Sequence, residues 1–179
     1  MAQPIQTYYN GYHFRSRSEA RWAWAFDQLG IKYYYEPEGF SNNGIAYLPD
    51  FFLPDSKTWF EVKGVLGEED EKKIDMFLRS IEDKYFVVGY PDMTFDVVND
   101  WGEWFSTPDN SAISKCPICG KYYFLSDYGW YGCKNCGAYD GDHYLRTEAQ
   151  GNLNHWYDGN AKNVLMKARS LRFEHGETP

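Results

Sequence analysis

Apolar residues recur at helical spacing in three stretches of the chain. From Glu19 to Gly30, Trp22, Phe26 and Leu29 fall on one face, and Gly30 is placed to end the helix. From Glu69 to Ile81, Ile74, Phe77, Leu78 and Ile81 form a stripe on an otherwise charged segment. From Asn160 to Leu171, Val164, Leu165, Ala168 and Leu171 do the same. Between the first two lie short aromatic and β-branched runs at Ile31 to Tyr35, Ile45 to Leu53 and Thr58 to Val62, with further strands expected at Tyr85 to Val88 and Thr94 to Val98. Helices on either side of a small sheet predict a layered α/β or α+β core over residues 1–108. Residues 109–145 change character, bringing in cysteine, glycine and tyrosine, and residues 146–179 form a tail with the third helix.

The turn residues Pro54, Asp55, Ser56 and Lys57 separate two strand-forming flanks, which predicts a hairpin. Symmetry about the Asp55–Ser56 bond sets Asp50 opposite Glu61, with Cβ atoms about 4.5–5.5 Å apart. Alternation adds Lys63 to that face and turns Phe51, Leu53, Phe60 and Val62 toward a core. A one-residue slip in register would undo this arrangement. Two opposed carboxylates repel, and a hard divalent cation taking oxygen ligands from both reverses the sign. Lys63 is then placed to orient or deprotonate a water, or to stabilise charge on a phosphate.

Glu19 belongs to the inward stripe of the first helix, where a buried carboxylate needs a partner such as a metal. Ser16 and Glu19 also fit a capping box, which explains the glutamate locally. Arg15, Arg17 and Arg21 form a basic group near the start, and Lys162, Lys167, Arg169 and Arg172 a second one near the end. Arg15, Arg17, Arg21, Lys167, Arg169 and Arg172 are the candidate nucleic-acid contacts, with surface solubility an equal reading of the second group. Glu36 and His13 are auxiliary candidates; Glu36 and Glu38 around Pro37 also suit a solvated turn, and His13 a packing role.

The net charge of -8 argues against a protein that coats nucleic acid without specificity, but not against an active centre built from carboxylates. A mean hydropathy of -0.66, the absence of a long apolar run and the lack of a secretory leader predict a soluble, cytoplasmic protein with no membrane partner.

Cys116-Pro-Ile-Cys119-Gly and Cys133-Lys-Asn-Cys136-Gly are two C-x2-C knuckles that use all four cysteines of the chain. Four thiolates make a closed tetrahedral site for a structural Zn²⁺, with iron, disulfides and a redox pair as alternatives. His143 is not expected to be a ligand, since sulfur fills the shell. Tyr122, Tyr123, Phe124, Tyr128, Trp130 and Tyr131 between the knuckles either pack this small unit or stack on bases.

Pro49-Asp50 followed by Glu61-Val62-Lys63 resembles the signature of the PD-(D/E)xK, or restriction-endonuclease-like, nuclease superfamily. The chain is especially similar to short phage- and transposon-associated members through FRSRSEARWAWAFDQLGI, YYEPEGF, YLPDFFLP and WFEVKG, so the resemblance spans roughly residues 9–90. It implies a restriction-endonuclease-like α/β core with a small mixed β-sheet flanked by helices. By the same match Glu19, Asp50 and Glu61 are ligands of Mg²⁺ or Mn²⁺, Lys63 is the catalytic lysine, and DNA is the substrate. The cysteine segment resembles a zinc ribbon, and the tail AKNVLMKARSLRFEHGETP is similar to the ends of phage-encoded relatives. The expected activity is metal-dependent endonucleolytic hydrolysis of phosphodiesters. Two alternatives are a non-catalytic nucleic-acid-binding or adaptor protein and a nuclease subunit of a recombination or transposition complex, with a homodimer or a partner protein as further expectations.

Overall fold

The computed structural model describes residues 4–42, 44–81, 85–98, 104–105, 111–116, 118–126, 133, 135–137 and 159–173. Among these, the fold is mixed α/β with three helices. The chain opens with a hairpin of β1 (Thr7–Tyr9) and β2 (Tyr12–Phe14), followed by α1 (Arg17–Leu29), β3 (Tyr34–Tyr35), β4 (Phe40–Asn42), β5 (Ile45–Tyr47), β6 (Phe51–Leu53) and β7 (Thr58–Val62). Then come α2 (Glu68–Ser80), β8 (Phe86–Gly89), β9 (Phe95–Val98), β10 (Trp104–Phe105), β11 (Ser111–Lys115), β12 (Tyr122–Ser126) and α3 (Gly159–Ser170). Six strands make the central sheet in the order β10-β9-β8-β7-β6-β3, in which β7 and β8, joined through α2, are the parallel pair.

Alternation along the strands divides the core between two faces. Phe51, Leu53, Phe60, Val87, Phe95 and Val97 pack on the α1 side, whereas Phe86, Val88 and Val98 meet Ile74, Phe77 and Leu78 of α2. The Ser16 hydroxyl caps α1 by accepting from the Glu19 N–H at 3.1 Å, and Gly30, at φ 66°, closes its other end. This helix is buried on more than the single predicted stripe, because Ala20, Ala23, Trp24 and Ala25 are covered as well. Residues Ala161, Val164 and Ala168 of α3 belong to the same core. A helix apolar on nearly all sides needs cover on both.

Three differences from the sequence reading have local causes. The predicted strand Ile45 to Leu53 is broken at Leu48–Pro49–Asp50: β5 pairs with β4 in a separate two-stranded sheet, and only β6 joins the main one. Proline lacks the N–H a continuous ladder requires. The run Ile31 to Tyr35 contributes only Tyr34 and Tyr35 as strand. The β1–β2 hairpin was not anticipated, although Asn10-Gly11 is its turn, with φ of 46° and 84°.

The cysteine segment is anchored in the main core. Ile113 of β11 and Phe124 of β12 are buried there, and the Phe124 ring lies 5.0 Å from Phe95 and 5.4 Å from Phe60 between centroids. Tyr128, Trp130, Tyr131 and His143 lie outside the described residues. Among the described residues, no helix is long and apolar enough to cross a membrane.

Candidate active site

The hairpin predicted from turn chemistry is present in the predicted register. Phe51 faces Phe60, Phe52 faces Trp59 and Leu53 faces Thr58, so the next pair outward is Asp50 with Glu61. The two acids are linked crosswise through the backbone. The Asp50 N–H donates to Glu61 Oε2 at 3.2 Å, and the Val62 N–H donates to Asp50 Oδ2 at 2.7 Å. Asp50 is only 3% exposed and Glu61 4%. Lys63, on the same face, places Nζ 3.0 Å from Glu61 Oε1 and 3.1 Å from Asp70 Oδ1 in the first turn of α2.

Glu19 reaches the same cleft from the first turn of α1. It does not complete the reciprocal half of a capping box. Its Oε2 instead accepts from the Arg15 N–H at 3.1 Å and from the Tyr35 hydroxyl at 2.7 Å. Glu19, Asp50, Glu61, Lys63, Arg15, Tyr47 and Lys73 together line a cleft of about 400 Å³.

The electrostatics of this cleft are dominated by the burial of its two central carboxylates. Burial, reinforced by the charges of Glu61 and Glu19, pushes the Asp50 carboxyl well above the ordinary range, against the opposing pull of the Val62 N–H and Arg15. Burial also raises Glu61, although Lys63 and Tyr47 work in the other direction. Burial opposes the charge on Lys63, but Glu61 and Asp70 outweigh it and raise its pKa, so the lysine is held protonated. Tyr47 is 7% exposed, and its hydroxyl makes no hydrogen bond of ordinary geometry within the described residues. Burial and the nearby Glu61 charge raise that phenol, keeping it a neutral donor. Two buried carboxylates with a phenol beside them are an oxygen-rich donor set of the kind that can hold a hydrated divalent cation.

The remaining candidates divide. Arg15 is at the cleft, with Nη2 2.8 Å from Asp50 Oδ1 and Nε 2.7 Å from Glu36 Oε1. Glu36 is therefore a neighbour of the site through Arg15, and its N–H also donates to the Asp50 carbonyl at 2.7 Å. Arg21 is committed elsewhere: its Nε donates to the Leu171 carbonyl at 2.8 Å and ties α1 to the end of α3. Arg17, His13, Lys167, Arg169 and Arg172 do not line the cleft. His13 is exposed on β2, its ring 6.3 Å from Tyr8.

Tyr47, Asp70, Lys73 and Tyr35 escaped the sequence reading. Strict alternation puts Tyr47 on the face opposite Asp50, and only the break at Pro49 turns both to the same side. Asp70 had a local signal, since it lies three residues after Gly67 and accepts from the Gly67 N–H at 3.3 Å at the start of α2. Lys73 follows it by one turn.

A second cluster holds the four cysteines, all of them free thiols. Their sulfur atoms lie within 4.8 Å of one another, with Cys116 to Cys136 at 3.8 Å and Cys119 to Cys133 at 3.5 Å. A tetrahedron of Zn–S bonds of about 2.3 Å has edges of about 3.8 Å, so the group can hold a metal such as zinc. The Gly120 N–H donates to the Cys116 carbonyl at 2.8 Å and the Gly137 N–H to Cys133 at 2.7 Å, both glycines being near φ 70°. Those matching turns are what the two C-x2-C-Gly strings predict. Burial works against the Cys119 thiolate, but hydrogen bonds from Asn135 and the Lys121 backbone bring its pKa down to about 6.

Comparison of the chain with protein families, with curated proteins and with solved structures found no match. The functional reading therefore rests on the residues and their geometry.

Proposed function

We propose that this protein is a divalent-metal-dependent nuclease that hydrolyses phosphodiester bonds in DNA, with Asp50, Glu61, Glu19 and Lys63 as its centre. The observation that carries the reading is the hydrogen-bonded Asp50–Glu61 pair, nearly inaccessible to solvent yet lining a cleft, with Lys63 3.0 Å away. Two carboxylates buried together cost stability, and a divalent cation shared between them offsets that cost. The reading is supported by a small mixed sheet in which Asp50 just precedes β6 and Glu61 lies near the end of β7, with Glu19 reaching the cleft from α1.

Asp50 and Glu61 would hold a Mg²⁺ or Mn²⁺ ion, with Glu19 lining the same cleft. Such an ion supplies a Lewis acid for the phosphate and lowers the pKa of the attacking water. The protein's own part is to fix the carboxylates through the Val62 and Asp50 amides, which leaves little reorganisation for the reaction. Lys63, held protonated between Glu61 and Asp70, is suited to stabilise charge on the phosphate rather than to abstract a proton. Lys73 and Arg15, which also line the cleft, are further cations available to an incoming phosphate. The four-cysteine cluster would bind a structural zinc as a ribbon, held to the hairpin turn by Lys121 Nζ at 2.7 Å from Asp55 Oδ2.

The test is incubation of linear, nicked, single-stranded and branched DNA, and of RNA, with Mg²⁺ or Mn²⁺. Cleavage of DNA that disappears in Asp50→Asn and Lys63→Ala proteins is expected. Cleavage unchanged in both variants would place the chemistry elsewhere. Tight binding without turnover on every substrate would replace the nuclease with the adaptor reading.

A further inference from the structure

Every oxygen of the Asp50–Glu61 pair has a partner, but the partners differ in kind. Asp50 Oδ2 takes the Val62 N–H, Glu61 Oε2 takes the Asp50 N–H, and Glu61 Oε1 faces Lys63 from the same strand end. Asp50 Oδ1 is engaged by a side chain from outside the hairpin, Arg15, 35 residues earlier. That side chain is 54% exposed, although its target is almost fully buried. The main chain of Arg15 is fixed, since its N–H donates to Glu19 Oε2 and the Tyr35 hydroxyl at 3.1 and 3.2 Å. The guanidinium is held by side-chain carboxylates alone, Asp50 Oδ1 and Glu36 Oε1.

We propose that Arg15 is an exchangeable cation, neutralising Asp50 until a divalent metal takes Oδ1, and then binding the substrate phosphate from the same position. This deepens, and rests on, the metal-dependent reading of the cleft. A guanidinium and a divalent ion repel when they share one carboxylate, so the arginine and the metal compete for Oδ1. An anion placed between them reverses that relation, because the planar fork of arginine suits phosphate oxygens as well as a carboxylate. Glu36 is the pivot. Its Oε1 holds Arg15 Nε at 2.7 Å, and its own backbone, at φ 45°, is fastened to the Asp50 carbonyl. A left-handed conformation that L residues seldom adopt is kept here where it holds the guanidinium at the mouth of the cleft. Released from Asp50, the arginine stays tethered beside the cleft. Metal and phosphate binding then become coupled: Arg15 weakens the first in the absence of the second and strengthens the second once the first is present.

The experiment uses the full chain with its cysteine site filled by zinc, titrated with Mn²⁺ and monitored by electron paramagnetic resonance. Thymidine 3′,5′-bisphosphate, which offers phosphate without a diester to cleave, serves as the anion. Arg15→Gln is expected to tighten Mn²⁺ roughly tenfold without the bisphosphate and to weaken bisphosphate binding to the Mn²⁺-loaded protein roughly tenfold. The opposite signs are the signature, since a merely structural role for Arg15 would weaken both. Arg15→Lys, which keeps the charge but loses the fork, carries the test should the glutamine variant fail to fold. It is expected to recover part of the bisphosphate affinity. Mn²⁺ binding that is abolished by Asp50→Asn but not tightened by Arg15→Gln would overturn the exchange and leave the metal site standing. Mn²⁺ binding indifferent to Asp50→Asn would overturn the metal site itself.

Discussion

A carboxylate whose folded pKa is raised binds its proton more tightly in the folded than in the unfolded chain. For Asp50 and Glu61 this stabilising contribution is complete below the ordinary carboxylate pKa of about 4 and is lost as pH rises through the raised folded values. The metal-free protein should therefore melt at a higher temperature near pH 5 than near pH 8, since every tenfold gain in proton affinity on folding contributes about 1.4 kcal/mol. Mn²⁺ should raise the melting temperature at pH 8 and do so much less at pH 5, where protons compete for the same oxygens. Melts at the two pH values, with and without Mn²⁺, check both statements, and a flat response would mean that the acids are not strained in solution. Lys63 yields a second expectation: Lys63→Gln should lower kcat by roughly 10²–10³ if the lysine stabilises developing charge. Single-turnover cleavage at saturating metal separates that loss from weakened binding. The acid pair was legible in the sequence because turn residues fixed the register. The Arg15 contact to Asp50 was not, because nothing local in FRSRSEA says which carboxylate an arginine will find 35 residues away.

At the scale of elements, the close approach of α1 to the centre of the sheet sets the position of the strand that carries Glu61. Gly89 of β8 pairs with Val62 of β7, and its carbonyl accepts the Lys63 N–H at 3.0 Å. A Cβ on Gly89 would stand 2.5 Å from the Phe60 ring and 2.7 Å from Trp22, both fully buried. Gly89→Ala should therefore destabilise the fold by about 1–3 kcal/mol through overpacking, and chemical denaturation will measure it. The sheet can relieve the clash by shifting β8, and Lys63 moves with it, so activity should fall by more than the loss of folded protein accounts for. Periodicity found the three helices within two residues because their apolar positions are dense enough to reveal a 3.6-residue period. It missed the break at Pro49, where apolar residues on both sides of Pro49-Asp50 concealed a change of sheet, and it passed over the Asn10-Gly11 turn, whose flanking strands have only three residues each.

In the whole molecule, the cysteine cluster and the acid cleft are joined through the β6–β7 turn. Lys121 pairs with Asp55 in that turn, and the Tyr123 hydroxyl accepts the Asn135 N–H at 2.9 Å while lying 2.9 Å from Cys133 Sγ. One residue further on, Phe124 is buried among Trp22, Phe26, Phe60 and Phe95. A segment that composition marks as too poor in aliphatic residues to form its own core has placed Phe124 in the core of its neighbour. Sequence alone could count the thiols and space them, but it could not say where Phe124 would go, because that depends on a cavity made by residues roughly 30 to 100 positions away. Emptying a zinc-loaded cysteine cluster should then affect more than the segment that carries it. With the thiols unligated, Tyr123 and Asn135 lose a fixed partner, and the strand carrying Phe124 loses the clamp that keeps it in the core. Zinc chelation should accordingly lower the melting temperature of the entire protein in one cooperative transition, and nuclease activity should decline with it even at saturating Mg²⁺. Phe124→Ala should mimic chelation, at a cost of about 3–5 kcal/mol, while leaving the four thiols able to bind zinc. If calorimetry instead resolves a separate low-temperature transition for the chelated segment, with cleavage of DNA intact, the cysteine cluster is an independent appendage and the ties through Asp55 and Phe124 carry no stability to the cleft.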